Sequence, residues 1–302
     1  MKFTAFSPHE ALRPYIKDYW HLSSTALADG SQRIVSNGSA QLQFYTTQPI
    51  RFGDDDRLFT SCLNIHSLQY TDLLNKQGPL EIIGVEFMSF GTRMFFDMPM
   101  SEGVGLHLTP TDLNDSEFAA LEEQVMGSKD DRRICQHLDD FFLHRLRKVF
   151  AGGTNLLRMQ HVVHLAENTR IDGDLSKLSP VALAEAACLS PKQFTRIFHE
   201  YVGLQPKSYL RLLRYHAAVL ALQQKAMGMD DAISSTLTDI AWQCGYYDLS
   251  HMTVDFQQIS GNTPAQILAE IEARGTDKAL TQAFQPTYGQ MLKKFIRVDK
   301  LI

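Results

Sequence analysis

The sequence predicts an α+β chain of two domains. A β-rich half closed by flanking helices spans residues 1–152, an all-α half spans 153–274, and an extension runs to residue 302. Three observations carry this. Apolar residues alternate in short runs up to about Phe87, their period lengthens after Phe90, and the second half contains an internal repeat. The length itself agrees, since a domain takes roughly 150 residues.

In chain order, Ile16–Leu22 and Ala40–Tyr45 show the two-residue period of half-buried strands. Asp29-Gly30, Asn37-Gly38, Gly53-Asp54-Asp55 and Gln77-Gly78-Pro79 punctuate them as turns, with Asp54-Asp55-Asp56 read as solvated. Leu80–Met88 is the most apolar strand. An antiparallel barrel or sandwich follows. Phe118, Leu121 and Val125 then mark one helix. Ile134, Leu138, Phe141, Arg145 and Val149 mark a second, which serves either to cover its own β layer or to pair with a second copy of the chain. Gly152-Gly153 is the expected pivot. From Asn155 to Glu272 only helical patterns occur, with stops at Gly203, Gly228, Gly245 and Gly261.

Composition narrows the function. Apolar residues make up 44% and charged residues 21%, which excludes a disordered or collagenous chain. Lys and Arg number 29 against 34 Asp and Glu, a net charge of −5, so any nucleic-acid contact must come from a local patch. Cys62, Cys135, Cys188 and Cys244 form no C-x-x-C pair, and no signal peptide or spanning segment is evident. A soluble, cytoplasmic protein with no membrane partner and no cofactor is expected.

The repeat is the strongest signal. Leu183-Ala184 recurs as Ile240-Ala241, 57 positions on, while Phe198, Gly203 and Pro206 recur as Phe256, Gly261 and Pro264, 58 positions on. One residue has been added at the turn. Each copy has the plan of a helix-turn-helix. In the first, Phe194, Ile197, Phe198 and Tyr201 form the buried stripe, leaving Lys192, Thr195, Arg196 and His199 outward, with Ser190 as N-cap and Pro191 at the first helical position. Lys192 and Arg196 are thereby one turn apart, spaced to meet phosphates or a guanine edge. The second copy buries Met252, Phe256 and Ile259 and turns Ser250, Thr253, Val254 and Gln257 outward. Lys207, Arg211 and Arg214 lie on a long helix between the copies. From Lys192 to Lys225 there are six Lys or Arg and one acid, Glu200, a local +5. These cations are expected to neutralise phosphates of double-stranded DNA.

These residues resemble the AraC/XylS family of bacterial transcription regulators. The resemblance rests on Leu183-Ala184, Ser190-Pro191, Phe194, Arg196, Phe198 and Gly203, and on Asp239-Ile240-Ala241, Cys244-Gly245-Tyr246, His251, Phe256, Gly261 and Thr263-Pro264. It covers about Asn155 to Ile271. It implies two helix-turn-helix units whose recognition helices enter successive major grooves, with base-facing roles for Lys192, Thr195 and Arg196 and for Leu249, Ser250 and Thr253. Three departures stand out: Val254 and Gln257 where the family favours cations, with Asp255 between them; a long segment from Lys225 to Thr236; and Cys188 in place of a turn glycine. Less specifically, Pro14-Tyr15-Ile16, Tyr19-Trp20, Gly84-Val85-Glu86-Phe87 and Phe90-Gly91 make the first half similar to cupin-like sensor domains. That similarity implies a small-molecule effector and a dimerisation surface for a second copy of the chain, and RNA polymerase is a further expected partner of such a regulator.

Tyr15, Trp20, Phe44 and Phe87 are the candidate ligand-binding residues, although aromatics on strands equally serve as core. Alternation sets Tyr19 opposite Trp20, so only one faces a given interior. His161, His164 and Glu167 have a spacing that suits a metal but also suits a solvated helix face. His9, His21, His66 and His107 are scattered and no G-x-S-x-G turn occurs, so catalysis has no support. Two alternatives remain: a cupin-type enzyme fused to a helical module, and a helix-turn-helix relative that serves as a protein-interaction scaffold. The extension carries Met291, Leu292, Phe295 and Ile296, spaced for a docking helix.

Overall fold

The computed structural model describes residues 2–24, 31–36, 38–53, 55–65, 67–74, 79–148, 153–172, 174–227 and 236–275. The extension with Met291 to Ile296, Asp29-Gly30, Asp54, His66, Gln77-Gly78, Val149 and Gly152 lie outside them. The first half forms strands β1 (Lys2–Phe6), β2 (Ile16–Ser24), β3 (Ser31–Ile34), β4 (Gln41–Tyr45), β5 (Arg51–Phe52), β6 (Ser61–Asn64), β7 (Thr71–Leu74), β8 (Leu80–Phe87) and β9 (His107–Leu108). Helices α1 (Ser116–Met126) and α2 (Asp131–Lys148) follow. The strands make two antiparallel sheets, one in the order β1-β2-β8-β4-β6-β9 and the other β3-β7-β5.

Both faces of the larger sheet are covered, which explains why β4 and β8 are buried along nearly their whole length. One face meets the smaller sheet through Trp20, Leu22, Tyr45, Phe52, Phe59 and Ile82. The opposite face meets α1 and α2: Phe44 packs edge-on against Phe118 of α1, and Phe87 against Phe142 of α2. Tyr19 belongs to this outer layer, stacking on Phe142 and donating from its hydroxyl to Asp139 Oδ1 at 2.9 Å. Trp20 accordingly faces between the sheets. Helix α2 covers its own sheet, burying Ile134, Leu138 and Phe142, with Phe141 half-buried. Arg145 is buried too, donating to Asp115 and to the Phe95 carbonyl and lying over the Phe141 ring.

The second half contains α3 (Gly153–Asp172), α4 (Pro180–Ala186), α5 (Pro191–Val202), α6 (Pro206–Met227), α7 (Leu237–Gln243), α8 (Leu249–Ser260) and α9 (Pro264–Gly275). The repeat is real: α4-α5 and α7-α8 are two helix-turn-helix units around the long α6. Their turns carry left-handed residues at corresponding places, Cys188 with φ +53° and Gly245 with φ +79°. A cysteine there stores backbone strain that a glycine avoids. The N-caps Ser190 and Asp248 also correspond, so the added residue is Tyr247, whose carbonyl accepts from Trp242 Nε1. Among the described residues no helix is long and apolar enough to cross a membrane.

Candidate nucleic-acid interface and cavity

Helix α5 is set up by its sequence. Ser190 and Gln193 form a reciprocal capping box, Pro191 occupies the first turn, and Gly203 with φ +85° ends the helix. Phe194, Ile197, Phe198 and Val202 are buried. Lys192 and Arg196 are exposed, Arg196 by 71% of its side chain, with only a loose contact to Glu200 at 3.9 Å. Thr195 and His199 are half-buried between them, Thr195 Oγ1 donating to the Pro191 carbonyl. The outward stripe borders a groove whose far wall is Pro99, Ser101 and Glu102 of the first half.

On α6, Lys207 is exposed and Arg214 half-buried. Arg211 requires a correction. Its guanidinium donates twice to Asp255 Oδ1, at 2.9 and 2.7 Å, and also to Gln258, so it joins α6 to α8 instead of standing free for a phosphate. Asp255, in turn, is buried and does not project beside Val254. On α8, Ser250, Val254 and Gln257 are exposed, Leu249 and Thr253 half-buried, and Thr253 Oγ1 donates to the Leu249 carbonyl.

A cavity of about 130 Å³ lies between the two sheets. Of the four candidate ligand residues only Trp20 lines it. Phe44 and Phe87 point to the opposite face of the sheet, into the helix layer, and Tyr15 packs edge-on against Phe90 and Phe95 before β2 begins. The polar wall comes instead from Gln41, Gln43, Asn64 and His107, residues whose alternation reads equally as a solvent face. They are knitted together: Gln43 Oε1 accepts from Tyr45 Oη and Asn64 Nδ2, Gln43 Nε2 donates to Gln41, and Asn64 Oδ1 meets His107 Nδ1. His107 stacks on Phe52 with ring centroids 3.7 Å apart, and burial pushes its pKa down to about 4, so it is neutral at pH 7.

Three contacts run from residues of or beside this cavity wall to the helical half. Ser36, which lines the cavity, accepts through its carbonyl from His216 Nε2 of α6 at 2.8 Å. Arg33, next to the lining Ile34, donates to the Ser260 carbonyl at 3.3 Å and lies over Tyr70, both residues closing on Gly261 at the end of α8. Val104, next to the lining Gly105, and the Met100 carbonyl come so near Gly203 at the end of α5 that a Cβ there would lie 3.1 to 3.2 Å from them. Helices α5 and α8 are thus both held at their C-terminal ends by the first half. Sequence reasoning missed these struts because each links residues distant in the chain.

The metal spacing is otherwise occupied. Glu167 pairs with Arg170 and accepts from Tyr209, and among the described residues no group of three His, Cys, Asp or Glu is placed to hold a metal ion.

Residues 183–270 match the helix-turn-helix domain family, and residues 4–109 match a domain of unknown function, DUF6597. The chain is 28% identical over 148 residues to the HTH-type transcriptional activator RhaS of Escherichia fergusonii, an alignment covering 41% of this chain and 50% of the relative. The chain thus spans about half the length of that curated relative. Solved structures similar to it include ToxT from Vibrio cholerae (TM-score 0.45, 13% identity, 83% of this chain and 98% of that one). Another is an AraC-type regulator from Chromobacterium violaceum (TM-score 0.32, 24% identity, 38% of this chain and 93% of that one).

Proposed function

We propose that this chain, whose residues 183–270 match the helix-turn-helix domain family, is a sequence-specific, DNA-binding transcription regulator of the AraC type, working in the cytoplasm and controlled by a small molecule held in its first half. The observation that carries the reading is the free stripe of Lys192 and Arg196 on a capped helix whose opposite face is packed. Such a helix fits the major groove. We place the domain boundaries at 152/153 and 274/275. Lys192, Thr195, Arg196 and His199 read from the first unit, Leu249, Ser250 and Thr253 from the second, and Lys207 and Arg214 meet phosphates between them. The cavity and its three struts support the effector half of the reading. A ligand acts only by favouring one arrangement of two, and here Arg33 and Val104, each next to a lining residue, reach the ends of both readers.

Two experiments test it. Arg196→Ala is expected to weaken binding to a selected operator by about 1 to 3 kcal/mol and to relax specificity at one base pair. Equal operator affinity in variant and parent would refute the assignment. Salt gives the second test. With Arg211 engaged internally, Lys207 and Arg214 remain as the phosphate-contacting cations, and about two such contacts give a slope of about −1.8 in log K against log salt, or about tenfold between about 50 and about 200 mM. A flat response would favour the protein-interaction scaffold.

A further inference from the structure

We propose that the cavity between the sheets takes an uncharged ligand the size of a single ring, carrying both a hydrogen-bond acceptor and a donor. The proposal rests on the reading of the chain as an effector-controlled regulator and names the chemistry of the effector. Size comes first. A void of about 130 Å³ is close to the roughly 150 Å³ of an engineered apolar cavity that binds benzene, so one six-membered ring fills it.

Charge comes second. Among the described lining residues none is Lys, Arg, Asp or Glu. Beside the lining Ser39, Lys17 and Glu86 satisfy each other at 3.3 Å, and Lys17 Nζ also donates to the Ser39 hydroxyl. A carboxylate or ammonium entering this space would surrender its hydration without meeting a counter-charge, which is far more costly than burying a hydrogen-bonded neutral group.

The polar contacts come third. Trp20 is 5% exposed and its Nε1–H has no hydrogen-bond partner. Nearly all buried donors are paired, so an orphan donor within a lining residue points to a partner that arrives with the ligand. The indole is fixed in place, stacked on Phe3 and lying over Gly84 so closely that a Cβ there would sit 2.0 Å from Trp20 Cε2. Opposite in character, neutral His107 uses Nδ1–H toward Asn64 Oδ1, which leaves Nε2 an acceptor. The lining residues therefore include one donor and one acceptor left for a ligand, Trp20 Nε1 and His107 Nε2, beside apolar walls from Leu22, Phe52, Leu73 and Ile82.

The test uses the full chain carrying Trp242→Phe, which leaves Trp20 as the sole indole because the sequence has two tryptophans and Trp242 is 60% exposed. Four probes share one ring and differ in head group: benzamide, benzyl alcohol, benzoate and benzylammonium, each at pH 7. Saturable changes in Trp20 emission are expected for benzamide and benzyl alcohol, with the two ions at least about tenfold weaker. An ion binding as tightly as the neutral probes, or no saturable response to either neutral probe, overturns the proposal. In a separate Trp20→Phe variant, which keeps a ring and removes the donor, thermal-shift titration should show benzamide weakened about threefold to tenfold. Unchanged affinity overturns the role of Nε1. Operator binding is measured in parallel without probes. Its absence beside intact probe binding sinks the regulator reading, whereas the reverse pattern sinks only the cavity chemistry.

Discussion

Replacing Asp255 with alanine will destabilise the protein by about 3 to 5 kcal/mol, the cost of stranding a partly buried guanidinium without its counter-charge. The Asp255 side chain is 3% exposed and that of Arg211 23%, and the pair spans from α6 to α8 with a shortest distance of 2.7 Å. Removing both charges together, as Arg211→Met with Asp255→Leu, should recover much of the loss, because a well-packed apolar pair of similar volume is often as stable as a buried ion pair. Urea midpoints of the two single variants and the double variant measure the coupling. The same variants settle what Arg211 does on DNA. A phosphate-binding residue lowers the salt slope by about 1 when removed, so Lys207→Ala should do so. Arg211→Ala should lower stability while leaving the slope alone. A slope change for Arg211→Ala would return it to the phosphate-contacting set.

Why the sequence misplaces this pair is instructive. Met252, Phe256 and Ile259 define the buried stripe of α8, and Asp255 falls on it, three residues after Met252. The signal was a charged residue at a core position, and its solution was a partner 44 residues earlier in the chain. Local features were more legible. The cap Ser190, the stops at Gly203, Gly245 and Gly261 and the faces of α5 follow from neighbours within two turns, so periodicity and capping chemistry suffice to place them, while the stop at Gly228 lies outside the described residues. The cavity is the opposite case. Alternation correctly separates Tyr19 from Trp20 but does not say which faces what, because the larger sheet is covered on both sides and both faces carry aromatics. Polar residues at Gln41, Gln43 and Asn64 then look like a solvent face. Only the smaller sheet, closing over them, makes them the wall of an interior.

Acid should destabilise the protein well before its carboxylates protonate, by about 4 kcal/mol between pH 7 and pH 5. The cause is a pair of buried neutral histidines. His216 is held down to about 3 by burial first and by the charge of Arg170 next, with its bond to the Ser36 carbonyl, Glu167 and Lys17 as smaller influences of mixed sign. His107 is held down to about 4, again chiefly by burial. Above the ordinary histidine value of about 6.5, folded and unfolded chains are both neutral at these sites and neither contributes. As pH falls below that value the unfolded chain takes up protons that the folded chain refuses, so stability drops, and it goes on dropping until the folded values of about 4 and about 3 are reached. At pH 5 each histidine has cost about 2 kcal/mol, since one pH unit is worth about 1.4 kcal/mol per proton. Urea unfolding at pH 7, 6 and 5 reads the slope, and His107→Gln and His216→Gln should each remove about half of it. A parental profile flat over that range would mean that neither ring is kept neutral. The two halves of the effect have different consequences. His107 lies in the cavity wall, so its share belongs to the interior of the first half, whereas His216 sits where α6 meets the segment that lines the cavity. The Ser36 carbonyl itself favours the charged ring, so burial and Arg170 are what resist the proton, and protonating His216 favours arrangements in which the ring reaches water.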